Sequence, residues 1–94
     1  MAGFPWKPIT TEAALGVNTG AASNVSSSRY VRLFNTAAVG TEHLVTLEQS
    51  GGTDIGTFTL DGQQEAIIQK DPSDQLFAAN AAVMAVGIAI NSNY

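Results

Sequence analysis

From Arg29 to Ile90 the chain is a succession of short runs in which apolar and polar residues alternate, each closed by a cluster of Gly, Pro, Asp, Asn or Ser. A period of two sends successive side chains to opposite faces of an extended backbone, so the repeating element is a half-buried strand. Arg29–Asn35 sets Val31 and Leu33 against Tyr30, Arg32 and Phe34. Glu42–Gln49 sets Val45 and Leu47 against Leu44, Thr46 and Glu48, with the first pair facing inward. Turn signals at this spacing predict an all-β fold, a single small β-sandwich or barrel of about seven antiparallel strands.

Ile55–Leu60 and Gln63–Lys70 flank Asp61-Gly62, a strong short-range hairpin signal. A two-residue loop would place Phe58 on the face of Glu65 and Ile67. A three-residue loop groups Phe58 with Ala66 and Ile68 and leaves Thr57, Thr59 and Glu65 opposite. A slip of one residue exchanges the faces, and the cleaner segregation selects the longer loop. Gly62 is then expected in the left-handed region of a bulge. Lys70–Asp74 forms the next turn around Pro72, and Gln75–Ala79 is a short strand, or a helical turn if Ser73 caps it. Val83–Asn91 closes the domain, with Met84, Val86, Ile88 and Ile90 on one face and Val83, Ala85, Gly87 and Ala89 on the other. Small residues along one face let a second backbone or a neighbouring subunit approach closely. The alanines of residues 78–86 leave a helix as the alternative there, which the β-branched and glycine residues that follow disfavour.

Residues 1–28 have a different character. Phe4-Pro5-Trp6-Lys7-Pro8 favours an extended backbone, because each proline also restrains the residue before it. We assign residues 1–11 to an extended N-terminal arm and 12–94 to the β-sandwich domain, with a strand expected near Ala21–Val25. The N-terminus lacks a basic segment followed by an apolar run and does not read as a signal peptide. The apolar stretch Ala78–Ile90 is too short to cross a bilayer, so no membrane partner is expected.

A chain of 94 residues supports one core. Charged residues make up 13%, about half the usual fraction, which suggests that part of the surface lies against protein. The net charge of −4, with only four Lys and Arg, offers nucleic acid no basic face. With one histidine, His43, and no cysteine, there is no thiolate metal site and no second histidine or cysteine to partner His43 as a ligand or base. No cofactor and no enzymatic activity are expected. Asp71 and Asp74 flank a turn, and Asp-Pro-Ser-Asp supplies too few oxygens for calcium.

Five residues remain as candidates for partner binding: Phe4, Trp6, Lys7, Arg29 and Arg32. The aromatics either fold back over an open end of the domain or anchor the arm in a partner, a role in which aromatics carry disproportionate binding energy. Arg29 and Arg32 are an odd number of residues apart and fall on opposite faces of one strand. One of them is expected to pair with a carboxylate such as Glu48 or with a neighbouring chain.

The succession Ser-Arg-Tyr-Val-Arg-Leu-Phe-Asn-Thr (28–36), Ile-Gly-Thr-Phe-Thr-Leu-Asp-Gly (55–62), Glu-Ala-Ile-Ile-Gln-Lys-Asp-Pro-Ser-Asp (65–74) and Val-Gly-Ile-Ala-Ile (86–90) resembles the small β-sandwich virion proteins of tailed bacteriophages. The likeness is closest to those from phages of cyanobacteria and other marine hosts. The resemblance implies a non-enzymatic structural protein of the virion, assembled in the host cytoplasm, most simply a capsid decoration or cement protein. Its implied partners are the major capsid protein or other virion proteins, together with further copies of itself on the particle. A neck or tail component and a carbohydrate- or receptor-binding module are the alternatives.

Overall fold

A computed structural model describes residues 5–90, and Phe4 lies outside the described residues. Eight strands build two antiparallel sheets: β1 (Lys7–Pro8), β2 (Ala13–Ala14), β3 (Tyr30–Asn35), β4 (His43–Glu48), β5 (Asp54–Leu60), β6 (Glu65–Gln69), β7 (Gln75–Ala78) and β8 (Val83–Ala89). The larger sheet runs β1-β8-β3-β6, with β2 pairing β8 beside β1; the smaller runs β5-β4-β7. The fold is all-β and consistent with a small sandwich, as the alternation requires.

The inward faces follow the expected parity. Val31, Leu33, Val83 and Ala85 of the larger sheet pack against Val45, Leu60, Leu76 and Ala78 of the smaller one, and all are buried. Leu47, Phe58, Ala66 and Ile68 lean on this core and remain half-buried. The small-residue face of β8 points inward. At Gly87 a Cβ would collide with the Ser28 side chain and come within 2.9 Å of Thr10 Cγ2, so the close approach is made within the chain.

Three expectations need correction. Ile55–Leu60 and Gln63–Lys70 do not pair as a hairpin: β5 pairs only with β4, and β6 only with β3. Asp61-Gly62 instead turns a corner from one sheet to the other, while keeping Phe58, Ala66 and Ile68 on the core side. Gln63, at φ 62°, takes the left-handed conformation that was expected of Gly62. Gly62 is needed for a different reason, because a Cβ there would strike the backbone of Ala37 and Ala38. Near Ala21–Val25 a short 3₁₀ turn (Thr19–Ala21) and a single bridge from Ser23 to Leu76 replace the expected strand. Val25, Ser26 and Ser27 follow with φ of 53°, 56° and 59°. Left-handed backbone costs roughly 1–2 kcal/mol per residue outside glycine. Hydrogen bonds from Ser27 N to Asn24 Oδ1 (3.1 Å) and from Ser28 Oγ to the Val25 carbonyl (2.6 Å) hold the turn and direct Val25 into the core.

Asn35 ties the corner together. Fully buried, its amide nitrogen donates to the carbonyls of Leu60 (2.8 Å) and Thr41 (3.0 Å), and its Oδ1 accepts from Ala37 N (3.0 Å). Its backbone carbonyl accepts from Gln63 N at 2.8 Å. Leu has similar volume but satisfies none of these groups, and a buried polar group left unpaired costs about 1–3 kcal/mol. Asn35→Leu should therefore lower stability by at least that amount in chemical denaturation. Gly62→Ala, which forces the 37–38 backbone away, should cost about 1–3 kcal/mol in the same measurement.

Candidate functional site

Trp6 and Arg32 meet on the outer face of the larger sheet. Pairing of β1 with β8 (Lys7 with Ala89, Pro8 with Ile88) lays the N-terminal segment along β8 as an edge strand. Two residues are gained before β2 resumes the ladder (Ala13 with Ala85), so parity survives and Trp6, Pro8 and Glu12 share the outer face. Thr10 Oγ1 accepts from Gly87 N at 2.8 Å within this break. Arg32 projects to the same face from β3, opposite Val86. Its guanidinium carbon lies 5.9 Å from the Trp6 ring centroid and 5.0 Å from that of Phe34. It donates to Glu12 Oε2 at 3.4 Å and Glu65 Oε1 at 3.3 Å. Arg32 Nε is buried without a hydrogen-bond partner. Ion pairs with exposed carboxylates contribute about 0–1 kcal/mol each, and the cation–π contacts a similar amount. The cluster sets the orientation of Trp6 more than it stabilises the fold.

Trp6, Pro8, Thr10, Glu12, Arg32 and Val86 line a cleft of about 410 Å³. An aromatic wall, an apolar floor and a charged hydrogen-bonding pair occupy one shallow depression. Of the sequence candidates, the fold unites Trp6 and Arg32. Lys7 is exposed and falls on the opposite parity to Trp6, and Arg29 is exposed just before β3, with no side-chain partner among the described residues. Sequence reasoning missed Glu12, Glu65 and Phe34. Phe34 was detectable, since it shares its face with Arg32, but the two carboxylates arrive through the pairings of β2 with β8 and β6 with β3, which leave no local signal.

The expected arginine–carboxylate pairing is made by Arg32 with Glu12 and Glu65, and Glu48, the carboxylate given as the example, is held otherwise. Fully buried, it accepts from Gln75 Nε2 at 2.7 Å and Thr19 Oγ1 at 3.3 Å. Residues 16–23 bring Thr19 over this carboxylate as they run along the free side of β7. His43 is half-buried at the start of β4, paired with Leu60. Among the described residues, no group of three or more His, Cys, Asp or Glu is placed to hold a metal ion. No helix among the described residues is long and apolar enough to cross a membrane. No family model, curated protein or solved structure matches the chain.

The second distinctive surface is β5. Its Asp54, Ile55, Gly56, Thr57 and Thr59 are exposed, and among the described residues only β4 flanks it. The opposite edge of the smaller sheet is covered: Ser23 and Leu76 exchange backbone hydrogen bonds of 2.9 and 2.8 Å, and Ala78 N donates to the Gly16 carbonyl at 3.0 Å.

Lys70 has a lowered pKa. Burial of the ammonium lowers it from 10.5, against the opposing pull of Asp74 and Asp71, while Nζ donates to the carbonyls of Asp71 and Pro72 at 3.2 Å each. Between the lowered native value and 10.5 the unfolded chain binds more protons, so this residue favours the native state increasingly as pH rises through that window. The stability difference between wild type and Lys70→Met should move in favour of wild type from neutral pH towards 10.5. Trp6, the only tryptophan, reports on its own cluster. Arg32→Met should shift its fluorescence emission while costing about 1 kcal/mol or less in stability.

Proposed function

We propose that this protein is a non-enzymatic assembly module that attaches to a larger protein particle through its sheet edges. The resemblance of residues 28–90 to phage virion proteins makes capsid decoration the form we favour, with the major capsid protein as partner. The observation that carries the attachment mode is β5, a strand paired on one side only and exposed along most of its length. An unpaired edge presents a row of backbone donors and acceptors to any extended segment, and strand addition is a recurring way of joining proteins. Copies arrayed on a symmetric lattice make a modest single contact sufficient. The low charge fraction of 13% also fits a surface that is partly covered by protein.

Trp6 lies against its own sheet, so an N-terminal anchor in a partner is not the mode we favour. A second reading, glycan recognition, has a specific observation behind it: the cleft of about 410 Å³ combines the Trp6 ring with Arg32 and Glu12. Binding there would quench or shift Trp6 fluorescence in a glycan titration.

Quantitative proteomics and electron cryomicroscopy of purified particles from the encoding source test the main reading. Copies in the hundreds per particle identify a head protein, and about a dozen identify a neck or tail ring. A chain absent from washed particles overturns the assembly role on virions.

A further inference from the structure

The two sides of the sandwich are closed unequally. On the side of β1, β2 and β7, residues 15–23 bridge the sheets, and Leu15 is buried there at 3% exposure. On the other side, β5 and β6 are the terminal strands of their sheets, joined only at one end by the corner at residues 61–64. Phe58 of β5 and Ala66 and Ile68 of β6, all directed at the core, stay half-buried as a result. Ile55 is the extra residue where the β4–β5 register shifts, and it is 51% exposed. A Cβ at Gly56 would meet nothing within 4 Å. The edge available to a partner therefore runs from Gly56 to Leu60, beside an incompletely covered apolar interior.

Edges left open in soluble proteins are commonly blunted by lysine or proline. β5 has neither, and its charge pattern points to an occupant. Residues 33–69 contain no Lys or Arg but include Glu42, Glu48, Asp54, Asp61 and Glu65. Glu48 is buried and hydrogen-bonded, and Glu65 faces Arg32. Of the remaining three, Glu42 precedes β4, while Asp54 opens β5 and Asp61 follows its last residue, where its Oδ1 accepts from Gly40 N and Gly62 N. A second copy paired antiparallel across a two-fold axis would bring Asp54 close to the partner's equivalent of Asp61, and parallel pairing would set Asp54 beside its own equivalent. Like charges so placed oppose both arrangements.

We propose that β5 accepts an extended strand from a different protein, a segment of alternating β-branched residues with a lysine or arginine near each end. This rests on the edge-attachment reading above and adds the chemistry of the partner. The added strand would continue the smaller sheet, cover Phe58 and Ile68, and place its basic residues against Asp54 and Asp61.

The test titrates the full chain, ¹⁵N-labelled, with an acetylated and amidated peptide Lys-Val-Thr-Val-Thr-Val-Lys, then with Glu in place of both Lys, then with Pro at the central Val. Amide shifts should concentrate in residues 55–60. The Lys peptide should bind at least about tenfold more tightly than the Glu peptide, with an advantage that shrinks in salt. The Pro peptide should not bind. In Asp54→Lys, whose substituted side chain is exposed in the wild type, the preference for the Lys peptide should fall sharply. Equal binding of the Lys and Glu peptides overturns the charge assignment and leaves the edge reading standing. Absence of shifts at β5 with every peptide overturns both. Dimerisation of the chain alone through residues 55–60, seen by sedimentation velocity and line broadening, overturns the hetero-partner in favour of a second copy.

Discussion

The sandwich depends on a corner that one buried amide holds. Where β5 leaves the smaller sheet and β6 joins the larger one, the chain must pass between sheets without leaving backbone groups unpaired. Asn35 supplies the missing partners: its side chain serves Leu60, Thr41 and Ala37, and its backbone serves Gln63 and Gln64. Asp61 adds a second layer by accepting from Gly40 N and Gly62 N. The corner fits because Gly62 has no side chain to hold the 37–38 backbone away. The position of both sheets relative to each other follows from this small polar knot and from the Val31–Leu33–Val45–Leu76 core beside it.

The same corner explains why the molecule is open on one side. A chain that crosses between sheets at residues 61–64 leaves β5 and β6 as terminal strands, each with a free edge. At the other side the chain crosses through residues 15–28 with more material, including the left-handed turn at Val25–Ser27 and Ser28 seated under Gly87. Backbone strain is accepted there in exchange for closing the core over Leu15 and Val25. Closure and availability are thus two outcomes of one topology. The sealed side gives stability, and the unsealed side keeps backbone groups and apolar surface within reach of a partner.

Much of the candidate surface was legible at the level of faces. Arg32 and Phe34 stand on the outward parity of β3, and Trp6 sits between Pro5 and Pro8 in a segment that favours extension, which marks an aromatic and an arginine as candidates for binding. Their meeting was not legible. It requires β1 to lie beside β8, some eighty positions away, with β8 between β1 and β3. Glu48 shows the reverse case. A carboxylate on a strand reads as a surface charge or a partner for arginine, yet Thr19 and Gln75 enclose it.

The sequence by itself determined where the strands from Tyr30 onward lie and which side chains of each turn inward, because the period of two is a local property that any burial must respect. Phe58, Ala66 and Ile68 shared the core side whether or not their strands were neighbours. Only the tertiary structure decided which strands pair. An Asp-Gly turn is compatible with a hairpin and with a corner between sheets, and the choice rests on contacts made far along the chain, at Asn35, Ala37 and Ala38. That choice left β5 exposed, because an edge is created by the strand that fails to arrive.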